Sequence, residues 1–201
     1  MNQKEILTNL TNDASDENVA IALDWLEKRK KSSSGTNKLI VTLLSVRQDQ
    51  ETLRRIGEWI SDKDWEPLVQ AGADTKSREF LDWMITMARR GSDPVQVSKL
   101  WSCLCAHYNE KEIIDGASQW LIEHPRGEHS ARVAEYLIRR GLDSRVIEAC
   151  EALAIEFPEP FFLIRLVQYS DSEPVKQITR QLLLENKDNE NQVILSLVAN
   201  G

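Results

Sequence analysis

The sequence predicts an all-helical fold made of stacked helix pairs, and three observations carry this prediction. Glycine and proline are scarce, at 8 and 6 of the 201 residues, so few positions disfavour a helix. Apolar residues recur at helical spacing along most of the chain. A pattern of large apolar residues also returns after about 33 positions, a period that fits two helices and their turns.

The N-terminal third predicts three helices. Residues 15–31 begin at Ser15, which can cap a helix, and place an apolar stripe on one face. Thr36 is expected to cap the next helix. Residues 37–48 contain a β-branched stretch that could form a strand, but their length and their place between two clear helices favour a buried helix. Residues 51–63 follow as another amphipathic helix.

The rest of the chain continues this pattern to its last residue. Gly91 is expected to stop one helix, and Gly141 marks a turn. The last segment, 191–201, predicts an apolar helix. It could cap the array, but we expect it to pack on another chain or to continue into a longer protein. Its apolar stripe consists of Val193, Ile194, Leu197 and Val198. The chain could self-associate through these side chains. Helices are predicted over 66–72, 75–91, 95–108, 111–125, 129–140, 143–157, 160–169 and 174–186.

An internal repeat is visible without gaps in the C-terminal half. Residues 112–125 align with 145–158, at an offset of about 33. Large apolar residues fill one recurring position, and core packing is the expected role, with a binding aromatic as the alternative. These residues are Trp25, Trp59, Trp120, Leu153 and Leu182. Trp83 breaks the register, so the unit at 65–91 is expected to be irregular.

Residues 127–160 resemble a tetratricopeptide repeat. The resemblance rests on the turn residue Gly141, the helix VIEACEALAIEF and the closing Pro158. It implies a right-handed α-solenoid of about five antiparallel helix pairs plus a terminal half unit, whose first helices line a concave groove for proteins or peptides. HEAT-like repeats stay open for the N-terminal third. The units lie roughly at 1–31, 36–64, 65–91, 94–126, 127–160 and 161–189, with the half unit at 190–201.

Charge and cysteine content narrow the possible partners. The net charge of −7 disfavours non-specific binding to nucleic acid or membranes. The first residues do not resemble a signal peptide, and no apolar run is long enough to span a bilayer. Three cysteines on apolar helical faces indicate buried free thiols in a reducing cytoplasm: Cys103, Cys105 and Cys150. We therefore expect a cytoplasmic protein with no membrane partner.

The sequence offers little support for catalysis. It contains no glycine-rich phosphate loop, nucleophile elbow or HExxH motif. Cys103 and His107 share a helical face, but two ligands do not make a metal site. Asp82 and Trp83 are the only candidates for a nucleic-acid-processing pocket. We therefore expect no enzyme activity, no cofactor and no metal.

A basic residue recurs at one position of three predicted first helices. Lys38, Lys99 and Arg132 occupy this position, on the face that lines the groove in the tetratricopeptide-repeat family. Neighbours one turn further on include Ser102, Glu135 and Arg139. These cations could bind an acidic peptide, or they could be solvated charges. The predicted function is a non-catalytic adaptor or sensor segment; the alternatives are a HEAT-like nucleic-acid-binding protein and a homo-oligomerising scaffold.

Overall fold

The computed structural model describes residues 2–73, 75–126, 128–140, 143–158 and 160–185. Over these residues the secondary structure is twelve helices without a strand, which confirms the all-helical prediction. The chain forms two compact units, one ending at His107 and the other beginning at Tyr108. The helices are α1 Gln3–Asn12, α2 Asp16–Glu27, α3 Ser34–Val46, α4 Gln50–Ile60, α5 Glu66–Gly72, α6 Arg78–Arg90, α7 Pro94–His107, α8 Lys111–Glu123, α9 Glu128–Ile138, α10 Ser144–Glu156, α11 Pro160–Leu166 and α12 Glu173–Glu185.

In the first unit each helix packs against the helix two places along the chain. Helices α1, α3, α5 and α7 form one row of neighbours, and α2, α4 and α6 form a second row. The rows exist because helices of 7 to 14 residues are too short to be stable unless an apolar face is covered. The side chains fully buried between them include Leu10, Leu39, Leu43, Ile56, Leu68 and Phe80.

The second unit follows the same rule. Helix α8 packs on α10 and α10 on α12, while α9 packs on α11. Consecutive helices also touch, as α8 with α9 and α11 with α12 do. The buried side chains include Ile113, Val133, Leu137, Cys150 and Leu153. Two predictions, the turn at Gly141 and the apolar stripe Val193, Ile194, Leu197 and Val198, lie outside the described residues.

The recurring tryptophans share one local arrangement at the ends of α2, α4 and α8. Trp59 and Trp120 are 7% and 8% exposed, so the predicted core packing is confirmed for them, whereas Trp25 is half-buried. The side chain four residues later lies against each ring, just beyond the helix end. It is a cation at Trp25 and Trp59, where it suits the helix dipole, and a stacked imidazole at Trp120. The pairs are Arg29 on Trp25 at 4.3 Å, Lys63 on Trp59 at 4.5 Å and His124 on Trp120 at 5.0 Å from the ring centroid.

Helix α1 precedes the first helix that the sequence analysis identified. It begins with a capping box, in which the Asn2 side chain accepts a hydrogen bond from the Glu5 backbone N–H at 3.0 Å. The Glu5 carboxylate accepts one from the Asn2 N–H at 2.8 Å. Ile6 and Leu10, one turn apart, are buried. The cap and this i,i+4 pair were the signals for the helix.

The N-cap of α3 is Ser33, so the sequence-based prediction of Thr36 as the cap is wrong. The Ser33 hydroxyl accepts a hydrogen bond from the Thr36 N–H at 3.2 Å, and the Thr36 hydroxyl accepts one from the Ser33 N–H at 2.7 Å. Thr36 is therefore the third helical residue of a capping box. Ser15 does stand at the N-cap of α2, but its side chain makes no capping hydrogen bond.

Replacing the two serines should give different losses of stability. Ser33→Ala removes the acceptor that caps α3, so we expect the free energy of unfolding to fall by about 1 kcal/mol. Ser15→Ala removes no capping bond and should cost clearly less. Urea unfolding of both variants beside the wild type measures the difference. Equal losses would contradict the assignment of Ser33 as the working cap.

Gly91 stands at the C-cap of α6, so the prediction that the helix stops there is confirmed, but its backbone is not left-handed. It follows the last residue of α6 with φ −64° and ψ 138°, which any residue can adopt. A Cβ at Gly91 would lie 2.5 Å from Val97 Cγ2 and 2.7 Å from Trp65 Cη2. Glycine is required here because two side chains approach the backbone, and not because the helix needs a left-handed stop.

The irregular unit at 65–91 now has a physical explanation. Its first helix, α5, has only seven residues, and the buried Trp65 ahead of it adds apolar volume, with its Nε1 donating to the Ile60 carbonyl at 3.2 Å. Trp83 of α6 lies against Gly57 of α4, where a Cβ would be 3.1 Å from the Trp83 ring. The out-of-register tryptophan therefore fills the space that a glycine leaves on the neighbouring helix.

Alanine substitutions at two glycines should separate close packing from helix propensity. We expect Gly91→Ala to lower the free energy of unfolding by about 1–2 kcal/mol, because its Cβ would overlap Val97 and Trp65. Gly35→Ala is the control: its Cβ meets only the terminal amide of Gln3, which can move away. Alanine is also the better helix former inside α3, so this variant should match or exceed wild-type stability in thermal unfolding.

Candidate functional site

Two arginines bind the loop of the preceding helix pair in the same way. Arg47, after α3, donates from Nη2 to the Ala14 carbonyl oxygen at 2.9 Å. Arg140, after α9, donates from Nη1 to the Tyr108 carbonyl oxygen at 2.9 Å. The partners lie 33 and 32 positions apart in sequence. Each unit thus contains an arginine that fixes one helix pair against the loop before it.

The three cations predicted to form a binding surface have different environments. Lys38 on α3 and Arg132 on α9 are exposed, and neither has an ion-pair partner among the described residues. Lys99 on α7 is half-buried, and its Nζ lies 2.7 Å from Asp64 Oδ1. Lys38 and Lys99 belong to the first unit and Arg132 to the second. Two of the three charges are therefore available to a ligand.

The ion pair of Lys99 is a structural link within the first unit. Burial opposes ionisation of Asp64, but the Lys99 ammonium and the Glu66 backbone N–H hold the pKa of that carboxyl below its ordinary value. Asp64 lies just before α5, so the pair joins that loop to α7. The sequence did not indicate Asp64 as this partner; the available signal was an acidic residue 35 positions before the lysine.

The other predicted binding residues are engaged locally. Arg139 forms an i,i+4 ion pair with Glu135 at 2.7 Å, and its guanidinium lies 5.7 Å from the centre of the Tyr136 ring. These two charges cancel, whereas Arg132 of the same helix has no ion-pair partner among the described side chains. The Ser102 hydroxyl on α7 is buried and has no hydrogen-bond partner in the part of the chain described.

A charged cluster joins α4 to α2 in the first unit. Arg55 bonds Glu27 at 2.5 Å and Asp24 at 2.7 Å, which lie 28 and 31 positions earlier. The hydrogen bonds from Arg55 hold the pKa of both carboxyls below their ordinary values. Arg54, by contrast, pairs with Glu51 and Glu58 of its own helix. Of these two arginines, Arg55 links two helices and Arg54 does not.

The contribution of this cluster should depend on pH. A carboxyl whose pKa is lowered by folding stabilises the protein above its unfolded pKa of about 4, and the contribution is lost as pH falls through the lower folded pKa. Arg55→Gln should therefore lower the melting temperature most near neutral pH, with the difference shrinking below about pH 4. Arg54→Gln is the control and should cost less, since its partners lie on one helix. A difference for Arg55→Gln that is constant with pH would contradict this linkage.

The described cysteines and the pair Asp82 and Trp83 lie in packed or ion-paired environments. Cys103, Cys105 and Cys150 are buried, and none of them is part of a disulfide, as predicted. Burial raises the pKa of Cys103 to about 11 and that of Cys150 to about 12, so both are neutral thiols near pH 7. Asp82 pairs with Arg78 at 2.7 Å. The pair Asp82 and Trp83, considered as a nucleic-acid-processing pocket, is thus occupied in packing and an ion pair.

The described residues contain neither a candidate metal cluster nor a candidate membrane helix, and the chain matches no known protein in the comparisons. The described residues hold no group of three or more histidine, cysteine or acidic side chains placed to bind a metal ion. Within the same part of the chain, every helix is too short or too polar to cross a bilayer. No protein-family model matches the chain, and no curated protein or solved structure is significantly similar to it.

Proposed function

We propose that this chain is a non-catalytic interaction module built as a tetratricopeptide-like α-solenoid, with the right-handed sense that the resemblance implies. Its architecture is supported by the two rows of alternating helices in each unit. The side-chain bonds that join distant residues of the first unit add support. They connect positions 27 to 35 apart, which is about one repeat. An adaptor or sensor role is the use that such a stack of helix pairs supports best.

One exposed cation on a first helix of each unit supports the proposal of a binding surface in that unit, Lys38 in the first and Arg132 in the second. Lys38 and Arg132 are exposed without an ion-pair partner among the described residues, whereas Arg54, Arg55 and Arg139 are all neutralised. In a chain of net charge −7, such cations select an acidic segment of a protein or peptide. Lys99 supports the surface by holding α7 to the loop before α5. A reducing cytoplasmic location belongs to the same proposal, because the three cysteines are not joined in disulfides.

A charge-reversal pair tests this surface. Lys38→Glu/Arg132→Glu should weaken the binding of a fluorescein-labelled glutamate-rich peptide at least fivefold in fluorescence anisotropy, because both favourable charges become repulsive. The matched control, Lys28→Glu/Lys30→Glu, changes the net charge equally at exposed residues after α2. It should bind nearly as the wild type does. Equal weakening by both pairs would identify Lys38 and Arg132 as ordinary solvated charges.

A further inference from the structure

Three aliphatic side chains occupy one exposed position on the second helices of the second unit. Ile122 on α8, Ile155 on α10 and Leu184 on α12 each follow the recurring core residue by two places, which is about 200° around the helix. Ile155 is 50% exposed and Leu184 67%, while Ile122 is half-buried. In the first unit the same position holds the polar residues Glu27 and Ser61. The aliphatic row is therefore a local feature and not a requirement of the repeat.

The three positions lie on adjacent helices, because α8 packs on α10 and α10 on α12. A cavity of about 350 Å³ lies between α8 and the start of α10. Its lining combines the apolar side chains of Ile114, Ile122 and Val146 with the carboxylates of Asp115 and Asp143. The row thus continues into a depression that can receive an apolar side chain.

The surroundings of this row are acidic. Helices α8 and α10 contain six carboxylates against two cations. Both cations are already paired, Lys111 with Asp115 at 2.7 Å and Arg145 with Asp143 at 3.4 Å. The remaining exposed carboxylates include Glu123, Glu148 and Glu156. An apolar strip bordered by unneutralised acids favours a cationic partner over an acidic or neutral one.

We propose that this surface, the aliphatic row Ile122, Ile155 and Leu184 with its bordering carboxylates, docks a cationic amphipathic helix of a partner protein. Packed helices lie about 8–10 Å apart, and residues seven apart on a helix are separated by about 10.5 Å. A helix lying across α8, α10 and α12 therefore matches the row with apolar residues at i, i+7 and i+14. Its lysines or arginines flank these anchors and meet the carboxylates. This surface and its ligand are distinct from the acidic-peptide surface proposed above.

The aliphatic anchors are tested with a labelled 18-residue leucine/lysine amphipathic peptide and the full chain, by fluorescence anisotropy. We expect Ile155→Ser/Leu184→Ser to weaken binding at least tenfold. Both side chains are at least half exposed, so circular dichroism should show an intact fold. Val46→Ser/Val95→Ser removes exposed aliphatic side chains from the first unit, at 36% and 47% exposure, and should change affinity less than twofold. Similar effects of the two pairs would overturn the proposal.

The charge requirement is tested separately, with variants that leave the apolar row intact. Glu148→Gln/Glu156→Gln should weaken binding about fivefold, whereas Glu17→Gln/Glu79→Gln, an equal charge change in the first unit, should not. Equal weakening would mean general attraction to a negative chain and would overturn the proposal. Sedimentation is a further test. If the wild type is a dimer and Ile155→Ser/Leu184→Ser dissociates it, the surface is occupied by a second copy and the proposal is overturned. Binding of the glutamate-rich peptide to these variants should persist, so failure here is distinguishable from failure of the acidic-peptide surface.

Discussion

The structure depends on apolar contact between each helix and the helix two places further along the chain. None of the described helices exceeds 14 residues, which is too short for stability in isolation. Each helix gains its stability by covering an apolar face, at about 25 cal/mol for each Å² removed from water. Leu39, Leu43 and Leu44 of α3 are completely buried in this way. A helix thus joins two neighbours, and the core continues through each unit.

Directional polar bonds add a constraint that apolar packing alone does not supply. The Trp59 indole donates to the Arg29 carbonyl at 2.8 Å, and Arg47 and Arg140 donate to loop carbonyls 33 and 32 positions earlier. Each such bond contributes only about 1 kcal/mol net. Its geometry, however, is narrow, so it restricts how one helix pair can slide or rotate on the next. Packing therefore supplies most of the stability, and the polar bonds fix the relative position of neighbouring pairs.

The two proposed surfaces differ in charge and in chemistry. Lys38 and Arg132 present unpaired cations on first helices, which suits an acidic segment. Ile155 and Leu184 present an aliphatic row beside carboxylates on second helices, which suits a cationic one. One ligand cannot satisfy both. Surface residues carry little of the folding energy. A chain of stacked helix pairs can therefore support both surfaces without any change in its buried side chains.

Much of the fold was readable from the sequence because its signals are local. Helical periodicity placed the helices, including α3 despite its β-branched residues, and the exact bounds of α5 followed from its composition. Cap assignment was less successful: Ser33 and Thr36 are both good caps, and only the backbone conformation distinguishes them. The recurrence of tryptophan was also visible in the sequence, because Trp25 and Trp59 are 34 positions apart.

The sequence by itself determined which segments are helical and which residues recur at equivalent positions. Tertiary structure decided what those residues do. Lys99 resembles Lys38 in sequence, yet it is neutralised by Asp64, which lies 35 positions away. Gly91 does end a helix, yet glycine is needed there for the approach of Trp65 and Val97. The physical reason is that helix formation depends on neighbours within one or two turns, whereas burial and charge pairing depend on side chains that only folding brings together.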